Sequence, residues 1–153
     1  MKKLPMLWPA LALLGLLALG RPASAQTATP RYSIFAADLF GSPNGFGLGG
    51  SVALALPSDF LIEPSLVIGR RQGQAIFTAD GAFLYEFHPD DEVIIPYLLG
   101  GIGMAQYGGN TYGGVLAGFG ARIPVHHQTW VQLELRAGRH GLGRFTLGLS
   151  KNF

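Results

Sequence analysis

Beyond residue 30 the chain alternates apolar and polar or small residues with a period of two, and short clusters rich in Gly, Pro, Asn, Asp and Ser interrupt it. That period belongs to a β-strand with one face toward an apolar surrounding. The pattern predicts eight strands: Arg31–Phe40, Phe46–Leu56, Phe60–Gly69, Ala75–Phe87, Val93–Gln106, Tyr112–Val125, Thr129–Gly138 and Arg144–Phe153. Each is long enough for a tilted membrane crossing, which takes about 9 to 11 residues, and the number is even, as in bacterial single-chain barrels.

The last segment is the clearest. Phe145, Leu147, Leu149 and Phe153 share one face, which Lys151 interrupts, and Thr146, Gly148, Ser150 and Asn152 share the other. In the seventh, Val131, Leu133, Leu135 and Ala137 alternate with Gln132, Glu134, Arg136 and Gly138. In the fourth, Phe77, Phe83, Tyr85 and Phe87 oppose Thr78, Asp80, Glu86 and His88; in the third, Phe60, Ile62, Leu66 and Ile68 oppose Glu63 and Ser65. The first and fifth are ambiguous, because both of their faces are apolar or small.

Composition decides which face is outside. Hydrophobic residues make up 48% of the chain and charged ones 13%, against about 25% charged in ordinary soluble domains. The polar face is rich in Gly, Ser, Thr and Ala and thin in charge, which suits a narrow filled interior better than a solvated surface. The expected architecture is therefore all-β: an eight-stranded antiparallel up-and-down transmembrane barrel. The competing reading is a soluble β-barrel that binds an apolar ligand.

The N-terminus reads as an export signal. Lys2 and Lys3 precede an apolar run from Leu4 to Leu19, and Ala23-Ser24-Ala25 forms an A-x-A pattern, so cleavage is expected between Ala25 and Gln26. The domain division is then a signal peptide over 1–25 and a barrel over 26–153. Removing Lys2, Lys3 and Arg21 turns the formal charge from +2 to −1, which leaves no electrostatic case for nucleic acid. The chain has no cysteine, so neither disulfides nor thiolate metal sites enter.

Pro96-Tyr97-Leu98-Leu99-Gly100-Gly101-Ile102-Gly103 resembles the "PYLGAGxG" strand of the OmpA-like outer-membrane β-barrel domain family. Gly114 to Gly120 resembles the strand that follows it, and Thr146 to Phe153 resembles the closing "xLGLSYRF" strand, with Lys-Asn in place of Tyr-Arg. The resemblance covers the second half of the chain by motif and the first half by pattern. It implies residence in the bacterial outer membrane and insertion by the barrel assembly machinery, which reads the final strand. Phe145, Leu147, Leu149 and Phe153 match that signal; Lys151 departs from it.

Candidate chemistry is sparse. Glu63, Asp80, Glu86, Arg122, Glu134 and Arg136 fall on expected lumen faces, and buried charges must be paired, so an ion-pair network that fills the barrel is expected; a narrow pore is the alternative. His126 and His127 are adjacent, and their side chains are expected to diverge on a strand. His88 falls in an expected turn beside Pro89 to Glu92, and His140 in an outer loop. Outer-membrane lipid A deacylases of similar size carry a His-x-Ser pair, and no such pair occurs here. The sequence therefore offers no catalytic residue, cofactor site or metal site. Arg70, Arg71, Arg139 and Arg144 are expected at or beside outer loops of about five residues each, as a solvated rim or a contact for lipid head groups. With an even strand number both termini lie on one side, the periplasm. The expected partners are outer-membrane lipids and, during biogenesis, the assembly machinery; the expected state is a monomer.

Overall fold

The structure is a computed structural model describing residues 29–40, 44–56, 59–88, 93–138 and 142–153. The expected cleavage site at Ala25 and Gln26 lies outside the described residues, as do Arg139, His140 and the acidic turn Pro89 to Glu92.

Eight strands form: β1 (Arg31–Leu39), β2 (Gly45–Ala55), β3 (Phe60–Arg71), β4 (Gln74–Glu86), β5 (Ile95–Tyr107), β6 (Asn110–His126), β7 (Thr129–Gly138) and β8 (Arg144–Asn152). Each pairs antiparallel with the next, and β8 pairs with β1, so the sheet closes into a barrel. Closure satisfies every edge, the condition for strands that cross a bilayer.

Two connections are tighter than the sequence suggests. The expected loops Arg70–Gln74 and Tyr107–Thr111 are two-residue turns, with Arg71 paired to Gln74 and Tyr107 paired to Asn110. Gln72 and Gly73 have φ of 49° and 78°, and Gly108 and Gly109 have 58° and 80°. Positive φ at both central residues is the type I′ arrangement, whose twist matches that of the flanking strands. Gly-Gly adopts it freely, whereas Gln72 holds a conformation that side chains disfavour.

Two places in the described wall are irregular: the β6–β7 register shifts between Pro124 and His126, and the β2–β3 ladder is interrupted beside Pro64. Pro64 sits inside β3 and contributes no amide hydrogen. Pairing between β2 and β3 runs to Ser51↔Ser65 and resumes at Leu54↔Ile62, skipping Val52 and Ala53 without a change of register.

The two faces divide sharply. Outward positions carry apolar side chains, among them Ile34, Leu48, Ile68, Phe83, Ile102, Val115, Phe119 and Leu147, each at least half exposed. Among the described strand residues, the outward Asp, Glu, Lys and Arg are Asp38, Arg70 and Lys151, and each is next to last in its strand. The inward face alternates in layers. One apolar cluster, Phe35, Ala37, Leu39, Val67 and Ile76, lies toward the β1–β2 and β3–β4 turns. A second holds Ala53, Leu61, Ala82, Leu84, Tyr97, Leu99 and Leu116. The charged residues fill the remaining lumen.

Candidate functional site: the charged lumen and the closing strand

The period of two in β7 puts Glu134 and Arg136 on one face, pointing inward at 3% and 1% exposure. Arg136 reaches three carboxylates. Its Nη2 donates to Glu63 Oε1 at 2.6 Å, its Nε donates to Glu134 Oε1, and its Nη1 donates to Asp80 Oδ1. Arg144 on β8 donates through Nη1 to Asp80 Oδ2 and through Nη2 to Ser65 Oγ, both at 2.7 Å, and Ser65 Oγ donates to Asp80 Oδ1 at 2.8 Å. The Tyr97 hydroxyl donates to Glu134 Oε2 at 3.0 Å, and Ser33 Oγ donates to Gln132 Oε1 at 3.2 Å.

Toward the chain-terminal end of the barrel, Glu86 pairs with both Arg31 and Arg122. Arg122 also stacks over the Tyr97 ring at 5.1 Å, so Tyr97 touches both groups of charges. His88 lies 3.7 Å from both Glu86 and Asp59. In all, the guanidiniums of Arg31, Arg122, Arg136 and Arg144 face the carboxylates of Glu63, Asp80, Glu86 and Glu134. Within these two groups each buried charge faces charges of opposite sign, as burial in low dielectric demands; Arg71 is a further buried arginine, nearer the β3–β4 turn.

All six lumen charges singled out in the sequence occupy the interior, each at 8% exposure or less. Two members were missed. Arg144, expected at the outer rim, is 2% exposed inside the lumen; it shares the parity of Thr146 and Ser150, a signal that points inward. Arg31 carried no such signal, because the alternation of β1 is blurred. Arg71 is also no rim residue: its guanidinium is buried, donates to the Phe40 carbonyl oxygen and stacks over Tyr107 at 5.7 Å. Arg70 does face outward and is exposed. His126 and His127 do not diverge. Strand β6 ends at His126, and the turn brings the two rings edge to face with centroids 5.1 Å apart.

On β8, Phe145, Leu147 and Leu149 are 40%, 51% and 48% exposed on the outer wall, and Phe153 just past it is 70% exposed. Phe153 stands beside the Tyr32 ring at 5.6 Å. Phe60, Tyr85 and Phe87 form a separate aromatic cluster on β3, β4 and the residue after it. Among the described residues no group of three His, Asp or Glu side chains is placed to hold a metal ion.

An inward network of charge inside an outward wall of apolar side chains defines a transmembrane-type barrel, and known structures share its fold. No family matches the chain by sequence, and no characterised protein matches it at a significant level. Neisserial surface protein A is similar with a TM-score of 0.62 and 15% identity, over 81% of this chain and 96% of that one. The N-terminal β-barrel domain of Pseudomonas aeruginosa OprF is similar with a TM-score of 0.59 and 19% identity, over 84% of this chain and all of that one. The attachment invasion locus protein Ail of Yersinia pestis is similar with a TM-score of 0.58 and 15% identity, over 82% of this chain and 99% of that one. At these identities the likeness concerns the fold: a closed eight-stranded antiparallel barrel of the outer-membrane type.

Proposed function

We propose that the protein is a small structural barrel of the bacterial outer membrane, exported by its N-terminal signal, with a lumen plugged by side chains and both termini in the periplasm. The distribution of charge carries this reading. Charged strand residues gather in the lumen, and the outward ones stand beside strand ends, the reverse of a soluble barrel. From Phe60 to Ile68 the outward side of β3 runs about 27 Å along the strand, which a tilt of about 40° reduces to about 21 Å of height. That is close to the apolar band of about 25 Å in outer-membrane barrels. Lys151 lies where its long stem reaches the interface. In this reading outer-membrane lipids cover the wall, the protein acts as a monomer, and the exposed row Phe145, Leu147, Leu149 and Phe153 serves as the assembly signal. No catalytic step is assigned.

Fractionation with gel mobility tests the proposal. The protein is expected in the outer-membrane fraction, with mobility on detergent gels that changes on boiling and an N-terminus beginning at Gln26. Release with soluble periplasmic contents would support the ligand-binding soluble barrel instead. Steady, reproducible openings in planar bilayers would support the pore.

A further inference from the structure

Leu142 belongs to the connection between β7 and β8 and to neither strand, yet it is only 3% exposed. Its side chain occupies a socket built from three glycines at inward positions on three successive strands: Gly103 on β5, Gly114 on β6 and Gly138 on β7. A Cβ added to Gly138 would fall 2.7 Å from Leu142 Cβ, and one added to Gly103 would fall 3.2 Å from Leu142 Cδ2. At Gly114 the corresponding distance to Leu142 Cδ1 is 3.4 Å. Any larger residue at Gly138 would therefore force Leu142 out.

The socket lies on the wall across from the apolar cluster of Leu39, Val67 and Ile76, which rides on strands and is fixed by pairing. Beneath Leu142 is the top of the charged layer, since the Cβ position of Gly103 also meets Asp80 Cβ at 2.7 Å, and Asp80 holds Arg144. Just past Leu142, the Gly143 carbonyl accepts a hydrogen bond from the Phe40 amide at 2.9 Å, tying the connection to the end of β1. We infer that Leu142 plugs the end of the lumen at the β7–β8 connection, completing an apolar seal over the Asp80–Arg144 pair, so that loss of its side chain lets water reach that pair. Gly138 leaves the room that Leu142 takes up, Gly103 accommodates Asp80 as well as Leu142, and Gly114 meets Leu142 at ordinary contact distance.

The absence of native cysteine makes a direct test available. Thr78 is inward on β4, 1% exposed, and its hydroxyl has no hydrogen-bond partner, so Thr78→Cys places a thiol in the sealed layer at little structural cost. The full chain, folded in lipid vesicles, is exposed to a small cationic methanethiosulfonate reagent, and the labelling rate is read by mass. Labelling of Thr78→Cys alone is expected to be slow. Adding either Leu142→Gly, which removes the stopper, or Gly138→Val, which expels it, is expected to speed labelling by about tenfold or more, as opening of a protected site does. Adding Gly81→Ala, at an outward glycine with open space around it, is expected to leave the rate unchanged. Heat-modifiable gel mobility reports folding of each variant independently. Fast labelling with Leu142 in place, or unchanged labelling in folded Leu142→Gly and Gly138→Val proteins, would overturn the inference.

Discussion

Arg136→Met tests whether the lumen network is a true charge balance. The change keeps most of the side-chain volume and removes a guanidinium that serves three carboxylates. Their fates differ. Asp80 keeps Arg144 and Ser65, and Glu134 keeps Tyr97 and Gln132. Glu63 is the stranded one: its Oε1 bonds Arg136, and its Oε2 has no hydrogen-bond partner. Breaking a buried pair from one side costs about 3–5 kcal/mol, because the remaining charge stays buried. Arg136→Met is therefore expected to lower the unfolding free energy by that amount. Adding Glu63→Gln removes the stranded charge and should return about 1–3 kcal/mol, the usual coupling between residues in one network. Urea unfolding in vesicles, followed by the fluorescence of Trp130, measures both. A single variant within about 0.5 kcal/mol of wild type, or a double variant no more stable than Arg136→Met, would refute the reasoning.

Leu147 faces outward near the middle of β8, so Leu147→Arg should cost about 2–4 kcal/mol in bilayer folding, while Lys151→Leu at the strand end should leave the unfolding midpoint nearly unchanged; equal effects would place the bilayer elsewhere. Gln72→Gly should raise the midpoint, because relief at φ 49° is worth about 1–2 kcal/mol, more than the loss of about 0.4–1 kcal/mol to the added freedom of the unfolded chain. Pro64→Val should supply the donor missing opposite Val52 and raise the unfolding free energy by about 1 kcal/mol; an unchanged unfolding midpoint would mean that the proline does not cause the gap.

The sequence and the structure agree most closely where the lumen is polar. In β7 and β8 the inward row is Gln132, Glu134, Arg136 and then Arg144, Thr146, Ser150, so a period of two in side-chain polarity is also a period of two in space. In β1 and β5 the inward rows include Phe35, Ala37, Leu39, Tyr97 and Leu99. A lumen this narrow is partly filled by apolar packing, and polarity then no longer distinguishes inside from outside. Arg144 reads as a rim residue because it adjoins the expected outer loop from Arg139 to Gly143, although its parity points inward. The two tight turns were overread as loops because Arg70 and Tyr107 look like turn flanks, whereas strand pairing continues to Arg71 and Tyr107. Leu142 had no signal at all: a lone leucine between glycines has no period, and its socket comes from three strands.

Arg144 opens the final strand, and its partners Ser65 and Asp80 lie far upstream, 79 and 64 residues away. While the sheet is still open, its guanidinium has nothing to neutralise it and Asp80 lacks one of its cations. Only when β8 meets β1 do both electrostatic debts clear at once. Because Ser65 and Asp80 sit on β3 and β4, a ring joined one strand short or out of register would enclose Arg144 and Asp80 apart from each other, and an unpaired charge is costly once it is buried.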